Sequence, residues 1–189
     1  MLILGIDPSL TKTGLVLVRT RLPRKETGGS EFLKPKDLQP VKVLDKLSVS
    51  LPGSKDIIRC CLILHDALTL IVRDARERYK REAILVYIEV PFHRLNASIF
   101  GKQWGLITVL QWELVRTHGI IAQFVNPTQV KSFLDIPKKK WSDKGEVVSR
   151  IREFIDDPTF MATAKKADRE AICDAVGIAL SGALLSCEI

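Results

Sequence analysis

The sequence lacks the marks of several large protein classes. Only four cysteines occur, at positions 60, 61, 173 and 187. Two are adjacent and no pair has zinc-ligand spacing. That points away from a zinc site or a disulfide framework, and toward reduced thiols packed in a core in a reducing compartment. No apolar run reaches the ~18–20 residues that a membrane-spanning helix needs. Met1 leads straight into an apolar strand pattern, with no basic n-region or cleavage site; the expectation is a cytosolic (cytoplasmic) protein with no membrane partner. Internal repeats and low-complexity segments are also missing.

What is present is ordinary in bulk and unusual in detail. At 189 residues, with 46% hydrophobic and 27% charged residues, the chain suits one soluble domain with a substantial core. Its net charge of +7 calls for an anionic partner, with nucleic acid first.

Against this basic background stand three carboxylates placed at the ends of, or inside, apolar segments. Asp7 ends Met-Leu-Ile-Leu-Gly-Ile, Glu89 ends Ile84-Leu85-Val86-Tyr87-Ile88, and Asp174 lies within Ala171-Ile172-Cys173-Asp174-Ala175-Val176-Gly177. An unpaired buried carboxylate costs several kcal/mol or is driven to a raised pKa. Taken singly, each has a structural explanation: a turn-forming Asp before Pro8, a salt-bridged acid at a strand end, a satisfied helix acid. Taken together they suggest a shared compensating charge, and a hard divalent cation such as Mg²⁺, bound with substrate phosphate, meets that demand.

The pattern along the chain predicts strands at 2–7, 15–18 and about 41–49, with a long basic loop or hairpin extension at about 20–40 carrying Arg21, Arg24, Lys25, Lys34 and Lys36. Helical spacing runs from Lys55 to Lys80, a fully apolar strand follows at 84–88, and a second long helix spans 96–117. A short strand at 120–125 leads through Asn126-Pro127-Thr128, a turn and cap, into a helix at 128–134. Lys138-Lys139-Lys140-Trp141 reads as a dense positive loop. Ser142 to Glu146 has the form of a capping signal for a helix at about 143–155, and an Ala- and Gly-rich helix at about 168–186 suits close packing on a sheet. This order describes an α/β layer fold with a mixed sheet.

The motifs also carry a resemblance. Gly5-Ile6-Asp7-Pro8-Ser9-Leu10-Thr11-Lys12-Thr13-Gly14 resembles the opening of the RuvC-type Holliday junction resolvases. Ile88-Glu89-Val90-Pro91-Phe92 with Asn96, then Gln129-Val130-Lys131, then Asp174-Ala175-Val176-Gly177-Ile178-Ala179 resemble that family's later motifs, in order, over residues 1 to about 182. The resemblance implies an RNase H-like three-layer α/β fold, a five-stranded mixed sheet flanked by helices, as one domain over 1–189. It further implies a homodimer and Mg²⁺-dependent symmetric nicking of four-way junction DNA, with Mn²⁺ able to substitute and two ions per active site.

Asp7, Glu89 and Asp174 map onto the family's metal-binding acids. The family usually has Asp or His three residues before the last Asp, where this chain has Ala171. Glu170, four residues before Asp174 and so on the same helix face, is the expected fourth catalytic and metal-binding acid, with Asp168 in reserve. Two ions about 3.5–4 Å apart would activate water and stabilise both phosphate and leaving oxygen. Asp7 would bridge them, with Glu89 on one and Asp174 and Glu170 on the other.

DNA contacts are assigned to Phe92, Lys131, Lys138, Lys139, Lys140 and Lys144. Phe92 would stack on an unpaired base, or else be an ordinary core Phe; His93 and Arg94 would contact the same strand or simply face solvent. Lys131 and Lys144 align with lysines the family uses near the scissile phosphate, and the lysine run would follow the backbone. Trp141 would pack locally or abut a base or sugar. The helix at 96–117, with Ile99, Phe100, Gln103, Trp104, Ile107, Leu110, Gln111 and Leu114 at helical spacing, is the one the family pairs across its twofold axis, with Trp104 as its exposed apolar contact, or else it is buried within one subunit. The sequence does not reveal any branch-migration machinery as a partner, and the 20–40 insertion would be an added phosphate-contacting arm.

Two other functions fit parts of the pattern. An actin- or sugar-kinase-type ATP-binding domain also opens with a strand, an Asp and a Gly/Thr turn, but it needs a second such domain and a second phosphate loop, which this chain lacks. A junction-binding protein without catalysis would account for the altered fourth acid, though not for the other three.

Overall fold

The computed structural model describes residues 1–21, 41–53, 55–91, 96–156 and 165–186. The basic insertion therefore lies almost wholly outside the described residues, as do Phe92, His93 and Arg94.

The first strand, β1 (Leu2–Asp7), is buried at every residue except Asp7 at its end, as a strand covered on both faces must be. It pairs antiparallel with β2 (Lys12–Arg19), which pairs antiparallel with β3 (Lys42–Ser50). On its other side β1 pairs parallel with β4 (Ile84–Glu89), and β4 pairs parallel with β5 (Gln123–Val125). The sheet order is β3-β2-β1-β4-β5: a five-stranded mixed sheet, as expected.

Side chains alternate across this sheet. Leu2, Leu4, Ile6, Val86 and Ile88 share one core with Leu64, Leu68 and Ile71 of α1 (Ile57–Arg78) and Leu106, Ile107 and Leu110 of α2 (Ala97–His118). Ile3, Val16, Val18 and Tyr87 face the other way. They join Val130 of α3 (Pro127–Phe133), Val147 and Ile151 of α4 (Lys144–Arg152), and the inward face of α5 (Lys166–Leu185). The result is three layers, helices over both faces of the sheet. None of the described helices is long and apolar enough to cross a membrane.

Local chemistry explains most boundaries. Asn126 caps α3 in a capping box with Gln129, and Pro127 sits in the first turn, where its missing N–H costs nothing. For α4 the cap is Asp143 rather than Ser142: its carboxylate accepts from the Gly145 and Glu146 amides at 2.9 and 3.3 Å. The helix stops at Arg152, short of 155. The fifth strand is shorter than its apolar run suggests. Gly119 turns left-handed and the Ile120 amide is spent on the Leu114 carbonyl closing α2, leaving Ile121 76% exposed. Lys138–Lys140 form one 3₁₀ turn after Pro137.

The tightest contact in the fold is between α5 and the sheet. Gly5 and Gly14 lie beneath it, and a Cβ at Gly5 would strike the Ala175 carbonyl, one at Gly14 the Ala171 carbonyl. Because Asp7 pairs with Gly14 across β1 and β2, this approach brings residues 171–175 of the helix directly over the end of β1. Gly5→Val or Gly14→Val is therefore expected to lose about 3 kcal/mol through overpacking, read as a lower urea midpoint at unchanged m-value. An unaltered midpoint would mean that α5 sits farther from the sheet.

Candidate active site

The parallel register of β1 and β4 places Ile6 beside Ile88, so the next residues, Asp7 and Glu89, emerge side by side at the carboxyl ends of adjacent strands. By strand alternation both point to the α5 side, with Gly5 and Tyr87. From above, α5 contributes Asp174, one residue short of the Ala175 carbonyl that rests over Gly5. Three carboxylates 82 and 85 residues apart in sequence thus line one cleft of about 370 Å³.

The turn after β1 is fixed by its own hydrogen bonds. The Ser9 amide donates to Thr13 Oγ1 at 3.1 Å, and that hydroxyl donates back to the Ser9 carbonyl at 3.0 Å. Thr13 is fully buried, so the loop bearing Pro8 and Ser9 is tied to β2 and forms one wall of the cleft.

Two lysines enter from the opposite wall. Lys131 comes from α3 and Lys144 from the first turn of α4, and both line the cleft. Lys144 Nζ is ion-paired and hydrogen-bonded to Asp174 Oδ2. Burial alone would lower the Lys144 pKa, but Asp174, followed by Asp7 and Glu89, outweighs it and the net shift is upward.

The acids respond to burial first and to one another second. Asp7 is raised to about 7, mainly by desolvation and then by Asp174, against the opposing fields of Lys144 and a hydrogen bond with Glu89. Glu89 is raised to about 8 by desolvation, then by Asp7 and Asp174, with Lys144 and Lys131 pulling the other way. Two carboxyls that hold protons near neutral pH beside a third carboxylate form a site short of positive charge.

Other expected residues fall elsewhere. Glu170 lies one turn from Asp174 along α5, about 6 Å along the axis, and lines a second depression with Asp143, Lys166 and Arg169. Lys144 belongs to the walls of both hollows and stands between them. Asp168 is turned to the β2–β3 side, where Lys12 Nζ at 2.5 Å and Ser48 Oγ at 2.8 Å hold its carboxylate and lower its pKa. Lys138, Lys139 and Lys140 are exposed beside the cleft rather than within it, and Lys140 pairs with Glu146 at 2.9 Å. Trp141 does two things at once: its indole N–H donates to the Ile136 carbonyl at 2.8 Å while the residue lines the cleft.

Two features escaped the sequence reading. Gln103 of α2 reaches the cleft wall, with Oε1 buried and without a hydrogen-bond partner; a polar residue on an otherwise apolar helical stripe was its only signal. Trp112, not Trp104, is the exposed aromatic of α2. Trp104 packs edge-on between Phe100 and Phe124, whereas Trp112 is 56% exposed beneath the Arg116 guanidinium.

Among the described residues no three His, Cys, Asp or Glu side chains form a ready-made metal site. The donor set nevertheless suits a hard divalent cation: carboxylate oxygens only, in a cleft open to solvent, with protons that a bound cation would displace. Lysines on the facing wall suit an anionic ligand such as a phosphate.

No protein-family model matches the sequence, and no curated protein resembles it closely enough to match. Solved structures do. The Thermus thermophilus RuvC bound to a Holliday junction substrate superposes with TM-score 0.68 at 18% identity, over 98% of this chain and 95% of that one. The fowlpox virus resolvase bound to substrate Holliday junction DNA gives 0.54 at 11% identity, over 97% of each chain. The yeast mitochondrial Holliday junction resolvase Ydc2 gives 0.54 at 10% identity, over 97% of this chain and 82% of that one. At these identities the likeness is one of fold, the RNase H-like fold that the motif order implied.

The raised acids set a pH dependence. Their folded-state pKa values exceed the unfolded ones, so folding takes up protons between about pH 4 and 8, and stability must fall as pH rises through that window. In chelator, wild type is expected to lose on the order of 3 kcal/mol across it, and Asp7→Asn to show less than half that slope in urea unfolding. A wild type whose stability is flat or rising from pH 5 to 8 would count against this burial of the acids.

Proposed function

We propose that this protein is a metal-dependent endonuclease that resolves four-way (Holliday) junction DNA by symmetric phosphodiester hydrolysis. The observation that carries the reading is the cleft itself. Asp7, Glu89 and Asp174 meet there opposite Lys131 and Lys144, in a fold shared with resolvases whose structures contain junction DNA.

When bound, a divalent cation, Mg²⁺ with Mn²⁺ as substitute, would lower the pKa of an attacking water and polarise the phosphate. Asp7 and Glu89 are the residues that would hold it, with Asp174 beside them in its pair with Lys144. Lys131 and Lys144 orient the scissile phosphate by charge-assisted hydrogen bonds. Lys138, Lys139 and Lys140, exposed on the adjoining turn, follow the neighbouring phosphates and make binding steeply salt-dependent. Phe92, three residues past Glu89, is assigned to base stacking from its position in the sequence alone.

Symmetric cutting requires two such clefts related by a twofold axis. The face of α2 that carries Val109, Trp112 and Val115 is apolar and exposed within one chain, and Gly101 and Gly105 on the same helix have open space where a Cβ would stand. Pairing of α2 with its copy is the proposed dimer contact, as the resemblance implies.

Incubated with Mg²⁺, a labelled four-way junction is expected to receive paired nicks in opposing strands, while linear duplex, single strand and Y-shaped controls stay intact. Asp7→Asn, Glu89→Gln and Asp174→Asn should each slow nicking by about a thousandfold, several kcal/mol of charge stabilisation, without loss of junction binding. Junction binding by wild type without nicks would make it a non-catalytic binder, and nucleotide binding without nuclease activity would point to the kinase-like alternative.

Trp112→Glu is expected to yield monomers by light scattering. On a plasmid cruciform it should convert the linear product of paired cuts into nicked circles. A dimer that survives the substitution places the twofold contact elsewhere.

A further inference from the structure

The nuclease reading leaves open how many cations the cleft accommodates, and the arrangement of its charges bears on that number. Asp7 and Glu89 are neighbours at the ends of adjacent parallel strands. Asp174 is different: its carboxylate is already occupied by the Lys144 ammonium. A doubly charged ion could bind there only by displacing that ammonium or by lying against it.

A second ion would also need further acids, and the chain has turned them away. Three residues before Asp174 stands Ala171, buried with its carbonyl against Gly14. Glu170 faces the hollow beyond Lys144, and Asp168 is bound to Lys12 and Ser48. Three carboxylates and the Lys144 ammonium leave two negative charges in the cleft, the complement of one divalent cation. The charge of an incoming phosphate is matched by Lys131 on the facing wall.

We propose that the cleft holds a single divalent cation on Asp7 and Glu89, and that the ammonium of Lys144, paired with Asp174, stands in the place of a second. This rests on the nuclease reading for its meaning, but the ion count is independent of it. Lys144 is well suited to the part. It belongs to the first turn of a helix capped by Asp143, so its backbone is fixed, and its ammonium lies within the fields of all three acids. An ammonium in that position supplies charge but no coordination site, so any metal-bound water would belong to the single ion.

The test is an electron paramagnetic resonance titration of the full chain with Mn²⁺, with thermal melting to show that each variant is folded. Wild type is expected to bind one ion per chain, weakened at least tenfold by Asp7→Asn or Glu89→Gln. Lys144→Met should admit a second ion. The double variant Asp174→Asn/Lys144→Met, which removes the pair and keeps the net charge, should retain one ion within about threefold of the wild-type affinity. Two ions in wild type, none in wild type, or loss of the ion in the double variant would overturn the proposal. The wild-type count stands even if a variant does not fold. Junction nicking by a two-ion wild type would sink this proposal and leave the nuclease reading intact, whereas one ion without nicking would do the opposite.

Discussion

Everything at the cleft depends on how closely one helix lies on the sheet. Gly5 and Gly14 present bare Cα atoms to α5, and the Ala175 and Ala171 carbonyls occupy the space that any side chain would need. The Ala-rich sequence of α5 serves the same end, with Ala171, Ala175 and Ala179 buried on its inner face. A helix held at ordinary separation by larger side chains would carry Asp174 away from Asp7. Close packing is therefore what converts three remote positions in the sequence into one electrostatic unit.

That unit is costly to the fold. Desolvation is the first cause of the raised pKa at both Asp7 and Glu89, and mutual repulsion is the second. The field of Lys144 offsets part of the strain at both Asp7 and Glu89, and that of Lys131 adds to it at Glu89. The protein retains an arrangement that opposes its own stability near neutral pH, which is the usual condition of a site built to receive positive charge.

Much of this was legible before any coordinates. The apolar runs ending in Asp7 and Glu89 announced buried strands that end in acids, and period-2 alternation placed both acids on one face once the strands were parallel. Asn126-Pro127 announced its cap. Less legible was anything set by competition between partners. Glu170 shares a helical face with Asp174 by spacing, but spacing does not report that Lys144 rises between them; Asp168 has the right charge, but Lys12 and Ser48 reach it first. The same limit explains the fifth strand, whose apolar residues were partly claimed by the closure of α2, and the exchange of Trp104 for Trp112 as the exposed aromatic. Periodicity describes a residue's neighbours along the chain, and these outcomes were decided by neighbours across it.

The parallel pairing of β1 with β4, and the late position of α5, have a temporal consequence. A ribosome delivers Asp7 first, Glu89 only after a connection that includes all of α1, and Asp174 nearly at the end of the described fold. Until α5 has been made and docked, its inner apolar face and the underside of β1 and β2 have no cover, and the first two acids have no third. A partly synthesised chain thus carries the two strand-end acids without the helix that completes the cleft. The long-range order of the fold makes the cleft one of its last features to be completed, and no shorter length of the polypeptide displays it whole.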